Sequence, residues 1–392
     1  MNEKKLTQGS LSKDDISRYS RQLLLREIGI DGQVRLRQSS VLVVGAGGLG
    51  CPVVQYLAAS GLGCIGIIDS DRVDISNIHR QTIFTEYDCD EYKAEKAMAY
   101  IKARNSGCQV NCYTEFLTDH NAQQIIDKHE IVIDCTDNFS VRYLINDVCV
   151  KLGKPLVSGA IQKFSGQIGV YNIERENGDR GPCFRCVFPE VPPAGLIQNC
   201  EEAGVIGALP GIIGAMQSLE AIKLIIGAES GIHAKIFEFN ALTYNTKKYS
   251  IRKSSSCPVC SKDADEIALE YDFYSCGTDD PSNDIPDLEP DKIKALIDQN
   301  RISLIDVRPR HEHEIANIGG RIIEMQDVNA NKEYLLSESK KYDHLVIYCK
   351  TGKRSLNFAK HIKENLGIDN VVRLKGGVTR WAQEIDNSMP IY

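Results

Sequence analysis

Positive charge is in deficit in this chain. Its 392 residues include 46 Lys and Arg against 53 Asp and Glu, a net charge of -7. A protein whose main partner is nucleic acid needs a basic face for the phosphates, so the balance argues against that class. The first residues, Met1-Asn2-Glu3-Lys4-Lys5, are polar, and no apolar leader segment follows them. No stretch is expected to approach the roughly 18 apolar residues of a membrane span. No internal repeat stands out. The expectation is a cytoplasmic protein without a membrane segment, and 42% hydrophobic with 25% charged residues is an ordinary globular composition.

Cysteine, in contrast, is plentiful, with fourteen in the chain. A disulfide scaffold explains such a count in a short secreted chain with a leader. In a reducing cytosol, paired cysteines read as metal ligands and single ones as buried side chains or nucleophiles. Cys64, Cys135 and Cys149 lie in apolar runs and read as inert core, because a free thiol packs as a small hydrophobe.

The length allows two domains, each with its own core. Short apolar runs at 41–44, 65–68 and 131–134 predict strands, with helices expected at about 49–60 and 92–104. Strands alternating with helices predict a parallel, doubly wound sheet. Beyond Pro155, residues 167–172 and 235–240 alternate like antiparallel strands, and 212–226 reads as an apolar, hence buried, helix. Residues 263–291 hold eleven acidic residues, no Lys or Arg, and prolines at 281, 286 and 290. One-sign charge with low hydrophobicity predicts an extended linker. A smaller α/β unit follows, with strands expected at 303–307, 345–348 and near 371–372. The expected division is 1–262, an acidic linker over 263–290, and 291–392.

Gly45, Gly47 and Gly50 of Gly45-Ala46-Gly47-Gly48-Leu49-Gly50 fit G-x-G-x-x-G after a strand and before a helix. There the glycines, Gly48 among them, let backbone amides approach a phosphate at the positive end of the helix. Asp69, at the end of the second strand, is placed to accept ribose hydroxyls. The motif alone leaves nicotinamide, flavin and other nucleotides open, as well as a tight packing turn. The following segment, Asp71 to Gln81, is too polar and cationic for a nicotinamide pocket. Asn77, Arg80 and Lys93 are candidates to clamp a triphosphate, and Asp137, past the strand at 131–134, to hold magnesium through oxygen.

Cys183-Phe184-Arg185-Cys186 and Cys257-Pro258-Val259-Cys260 are two knuckles seventy residues apart. Four thiolates make a closed tetrahedral zinc site, which is structural because no position stays open for water. A redox Cys-x-x-Cys is the alternative, and the proline and turn context argues against it.

Two further cysteines read as reactive. Cys200 follows a Pro- and Gly-containing loop and precedes a helix expected from about Ala203, a setting that stabilises a thiolate. Cys349 ends a strand and opens the loop Lys350-Thr351-Gly352-Lys353-Arg354-Ser355 before another helix. Backbone amides of such a loop form an anion cradle, and with Arg354 nearby the thiol is expected to be depressed in pKa and nucleophilic.

The stretches Arg18-Tyr19-Ser20-Arg21-Gln22, Gly45 to Gly50, Ser76 to Gln81, Asp134-Cys135-Thr136-Asp137-Asn138 and Cys200 to Val205 resemble the MoeB/ThiF family, bacterial relatives of ubiquitin-activating enzymes. The resemblance implies a Rossmann-like, ubiquitin-activating-enzyme-like α/β fold. It also implies ATP-dependent adenylation of the C-terminal glycine of a ubiquitin-like sulfur-carrier protein. By motif position Asp69 would bind ribose, Asn77, Arg80 and Lys93 the phosphates, Asp137 magnesium, and Arg21 the ATP of the partner in a homodimer. The family also places zinc at the four cysteines and assigns the cysteine matching Cys200 a covalent link to the carrier. It usually has glycine three residues before the lysine, where this chain has Asp90.

From about Ile293 to Ile391 the Cys349 loop, Asp306-Val307-Arg308 and Gly376-Gly377-Val378-Thr379-Arg380-Trp381 are similar to rhodanese sulfurtransferases. Four residues separate Cys349 from Arg354, where phosphatases of this fold have a wider loop. Asn317 replaces a histidine common in the family. The fusion implies that Cys349, loaded as a persulfide by a cysteine desulfurase or thiosulfate, gives the carrier a thiocarboxylate. Molybdopterin synthesis, thiamin synthesis, cysteine synthesis, tRNA thiolation and siderophore sulfur incorporation all use similar activators, so the resemblance leaves the carrier open among them. A conjugation activator forming a Cys200 thioester is the alternative, and an oxidoreductase is disfavoured because no hydride site is offered.

Overall fold

The computed structural model describes residues 11–175, 178–191, 204–269, 271 and 285–392. The chain divides into two compact units, Met1–Cys276 and Gly277–Tyr392.

The first unit is built on eight strands: β1 (Ser40–Val44), β2 (Cys64–Ile68), β3 (Gln109–Tyr113), β4 (Ile131–Asp134), β5 (Leu156–Gln162), β6 (Ser165–Tyr171), β7 (Lys235–Asn240) and β8 (Thr246–Ser250). Their order is β3-β2-β1-β4-β5-β6-β7-β8. The pairings through β5 are parallel and the rest antiparallel, as the change of pattern past Pro155 predicts. Parallel strands here are apolar on both faces because helices cover both. Val41, Val43, Ile65 and Ile67 pack on one side, where the helices Gly50–Ser60, Lys93–Arg104 and Ala208–Ile226 lie. Leu42, Val44, Ile68 and Val132 pack on the other, against the helix Phe139–Lys151. Each such side chain, fully buried, contributes on the order of 1.5–3 kcal/mol.

The order reverses at β1, whose Val44 pairs with Ile68 of β2 and Asp134 of β4. Ligands of open parallel sheets bind at such a switch point, outside the carboxyl ends of the strands.

Two expectations need correction. The helix Ala208–Ile226 is, by length and composition, apolar enough to cross a membrane, contrary to the reading that no stretch approaches a span. It is a core helix: half of that window is buried, and it includes buried Gln217, Ser218 and Glu220. The ends of the acidic stretch are also not extended. Ile267 is buried beside Cys183, Cys257 and Val259, and the Tyr271 hydroxyl bonds both Asp147 and Arg185. Ile285 is buried in the second unit, where Asp287–Leu288 forms a strand. Apolar residues inside a charged run drive this packing, and average composition conceals them.

The second unit has five parallel strands, β9 (Asp287–Leu288), β10 (Ile302–Asp306), β11 (Arg321–Ile322), β12 (His344–Tyr348) and β13 (Val371–Leu374), in the order β11-β10-β12-β13-β9. Cys349 follows β12, the central strand.

Candidate functional site

In the first unit a cleft of about 490 Å³ opens at the carboxyl ends of β1, β2 and β4. Gly45, Gly47, Gly48, Asp69, Asn77, Arg80, Lys93 and Asp137 line it together. Glycine is required in the loop on steric grounds. Gly45 has φ +93, and a Cβ on Gly50 would stand 2.0 Å from the Gly45 carbonyl oxygen. That contact brings the helix Gly50–Ser60 tightly onto its own loop, so Gly50 shapes the cleft without lining it.

Asp69 accepts hydrogen bonds from the Ala46 N–H at 2.7 Å and the Asp71 N–H at 2.8 Å. Burial raises its carboxyl pKa, against the pull of Lys93 and the two N–H groups. The Lys93 ammonium is buried and donates to Asp71 at 2.8 Å. Asp90 stands at φ +67, the left-handed conformation that glycine adopts freely. Asp90 therefore makes the turn before Lys93 without a glycine. Asn77 ends a short 3-10 turn and accepts from Gln81 Nε2 at 2.8 Å. Arg80 donates to the Ser76 carbonyl at 3.0 Å. Asp137 is exposed at the rim. Arg21 is exposed on the helix Ser20–Leu23 and does not line this cleft. Cys200 and the helix expected from about Ala203 lie outside the described residues, and the described helix begins at Ala208.

Sequence reasoning missed several partners. Asp71 neutralises Lys93. Arg142 pairs with buried Asp134 at 2.9 Å and donates to the Thr136 and Gly159 carbonyls at 2.6 and 2.9 Å, fixing the cleft floor. Gln81 is buried with its Oε1 unpartnered. Its place beside Asn77 and Arg80 was the available signal.

The four knuckle cysteines converge, with all sulfurs within 4.8 Å of one another. Cys183 Sγ is 3.9 Å from Cys186 Sγ and 3.5 Å from Cys257 Sγ, and Cys186 is 3.4 Å from Cys260. Four sulfurs on a tetrahedral zinc stand about 3.8 Å apart, so the cluster fits that ion. The Ser254 N–H donates to Cys186 Sγ at 3.5 Å, a bond that suits a thiolate. Among the cysteines read as core, Cys135 and Cys149 are buried and Cys64 is partly exposed. Burial raises the pKa of all three thiols, which makes them poor nucleophiles.

In the second unit Cys349 is buried at the base of its loop. The Gly352 N–H points to its sulfur at 3.1 Å and the Ser355 N–H at 3.4 Å. Gly352 has φ +107, which turns the loop into the helix Lys353–Leu366. Gly376-Gly377 closes the other side: a Cβ on Gly377 would lie 2.4 Å from the carbonyl oxygens of Cys349 and Lys350. Val378 N–H bonds the Cys349 carbonyl at 2.9 Å. Arg354 is turned to Glu312, with bonds of 2.6 and 2.7 Å. Glu312 was not anticipated; it lies 42 residues away with no motif around it. Asn317 caps its turn, donating to the His313 carbonyl at 2.8 Å and accepting from the Gly319 N–H.

Residues 19–259 match the ThiF family. The chain belongs to that family. Residues 289–384 match the rhodanese-like domain, so the ThiF fold is joined here to a second known unit. Over its whole length this ThiF family member is 40% identical to adenylyltransferase and sulfurtransferase MOCS3 of Drosophila persimilis, covering 88% of that protein. Against the protein of the same name in Drosophila grimshawi the identity is also 40%, with 89% of it covered. Among solved structures, E. coli MccB with ATP aligns at TM-score 0.55 and 22% identity, over 62% of this chain and 75% of that one. PaaA aligns at 0.54 and 22%, over 65% and 79%. At such identity these two support the ThiF fold alone.

Proposed function

We propose that this ThiF family member is an adenylyltransferase and sulfurtransferase that converts the C-terminal carboxylate of a ubiquitin-like sulfur carrier into a thiocarboxylate. The observation carrying this reading is a nucleotide cleft at a sheet switch point joined in one chain to a cysteine held under backbone amides. Residues 1–262 would adenylate and 291–392 would transfer sulfur.

A carboxylate is a poor electrophile. Its attack on the α-phosphate of ATP gives an acyl-adenylate and releases pyrophosphate. The residues of the cleft divide the work. The loop amides after Gly45 face the phosphates, and Asp69 takes the ribose. Asn77, Arg80 and Lys93 neutralise charge developing during transfer. The exposed Asp137 carboxylate is a hard oxygen donor suited to magnesium, which supplies further positive charge when bound. The cysteine cluster would hold zinc structurally.

The Cys349 persulfide then attacks the acyl carbon through its terminal sulfur, and AMP leaves. This forms an acyl disulfide on Cys349. A second thiolate, assigned to Cys200, attacks the Cys349 sulfur and expels the thiocarboxylate. The resulting Cys200–Cys349 disulfide is reduced by a cellular dithiol. A cysteine desulfurase or thiosulfate would supply the sulfur. Exposed Leu24, Leu25, Ile30, Ile212 and Leu219 support a homodimer.

Intact-mass measurement of candidate carriers with Mg-ATP and a sulfur donor tests this reading, with wild type beside Cys349→Ala. A sulfur-for-oxygen mass gain with wild type alone is expected. Equal gain with Cys349→Ala would remove the second unit from the scheme. A stable carrier thioester without that gain would favour conjugation.

A further inference from the structure

The last residue of the sequence, Tyr392, packs half-buried against the second core of the C-terminal unit. Its hydroxyl accepts a hydrogen bond from Arg308 Nη1 at 2.6 Å and donates to Glu312 Oε2 at 3.1 Å. Arg308 is fully buried and immobilised, with Nε and Nη2 on Asp306 and a further bond to the Ala316 carbonyl. Glu312 in turn carries the Arg354 fork on both oxygens. A rigid anchor, a phenol, a carboxylate and a guanidinium therefore run in sequence to the Cys349 loop. On its ring face, Tyr392 holds a second cation of the same loop: the Lys350 ammonium lies 4.8 Å from the ring centroid. Lys350 is the immediate neighbour of Cys349.

We propose that Tyr392 is a positioning residue of the sulfur-transfer site: its hydroxyl braces Glu312 and so orients Arg354, while its ring retains Lys350, setting both cations for an anionic sulfur donor. This rests on the sulfur-transfer reading of Cys349. The physical reason is that a carboxylate held on both sides keeps its partner in one rotamer. A charge held in one place at the loop needs no reorganisation when the anion arrives. With thiosulfate as probe, the Cys349 thiolate bonds the sulfane sulfur and the S–S bond of thiosulfate breaks. The electron pair leaves with sulfite, and a Cys349 persulfide remains. Cyanide then removes the outer sulfur as thiocyanate and regenerates the thiolate.

The test uses the full chain as wild type, Tyr392→Phe and Tyr392→Leu. The first readout is the thiosulfate KM in thiosulfate-to-cyanide transfer. The second is the ratio of Cys349 alkylation rates by anionic iodoacetate and neutral iodoacetamide, followed on the Cys349 peptide by mass spectrometry. Tyr392→Phe keeps the ring and should raise KM and lower the ratio about threefold through loss of the brace. Tyr392→Leu, which also loses the ring, should change both about tenfold. An unchanged alkylation ratio in Tyr392→Leu, or equal slowing with both reagents, would overturn the proposal. A wild-type protein inert to thiosulfate and to a desulfurase would instead overturn the sulfur-transfer reading, and the alkylation ratio would still decide the placement of the cations.

Discussion

Arg354 gives both terminal nitrogens of its guanidinium to Glu312, at 2.6 and 2.7 Å, across 42 residues of sequence. The cation that the loop motif offers to sulfur is therefore held from outside the loop. Removing the holder should matter even though it never contacts the sulfur. Glu312→Ala is expected to slow thiosulfate-to-cyanide transfer about tenfold, the worth of a charge-assisted bidentate pair that sets geometry. Steady-state kinetics measures this, and ATP binding by the same variant serves as the control.

The same pair sets an acid limit on the C-terminal unit. Burial raises the Glu312 pKa, but the Arg354 fork, the Tyr392 hydroxyl and the Arg308 charge together lower it by more, so its folded value lies below that of free glutamate. The stability this supplies is present above the ordinary glutamate range and is lost as pH falls through the lower folded value. The melting temperature of wild type should exceed that of Glu312→Gln at pH 6, and the gap should shrink below about pH 4.3. A gap that stays constant down to the acid transition would contradict this.

Asp69 carries two backbone N–H groups besides its proposed ribose contact. Asp69→Ala frees the Gly loop at Ala46 and is expected to weaken ATP binding by about tenfold to a hundredfold. Asp69→Asn keeps one acceptor oxygen and should lose less. Calorimetric titration with Mg-ATP separates the two.

Cys186→Ser breaks a four-sulfur cluster whose spacing fits zinc. Metal analysis should fall from about one zinc per chain toward none, with the melting temperature lower by at least about 5 °C. The neighbouring residue Arg185 holds Asp147 and the Tyr271 hydroxyl, so the loss of zinc should also loosen that bonded trio.

Asp90, at φ +67, tests the turn before Lys93. Asp90→Gly should be neutral or stabilising by up to about 1 kcal/mol. Asp90→Val should destabilise by roughly 1–2 kcal/mol, because a β-branched residue resists that conformation. Urea unfolding gives both values.

The sequence by itself determined the sheet class, the nucleotide loop, the knuckles and the sulfur loop, and the physical reason is locality. Gly45 to Gly50 must turn tightly between one strand and one helix. Lys350 to Ser355 must present amides to the cysteine that precedes them. Such geometry is written within a few adjacent residues. The knuckles belong here too, since spacing within each pair fixes two ligands and thiolate chemistry asks for two more.

What the tertiary structure alone decided are partners brought in from distant strands and loops. Asp71 on Lys93, Arg142 on Asp134, Glu312 on Arg354 and Tyr392 on Glu312 carry no motif. Each pair meets because separate elements pack into one core, and burial then demands a partner for every charge. The acidic stretch shows the same division. Its composition predicted an extended chain, but Ile267 and Ile285 found cores to enter at either end. A single apolar side chain changes average composition little, and its burial depends on a surface that only the folded chain provides.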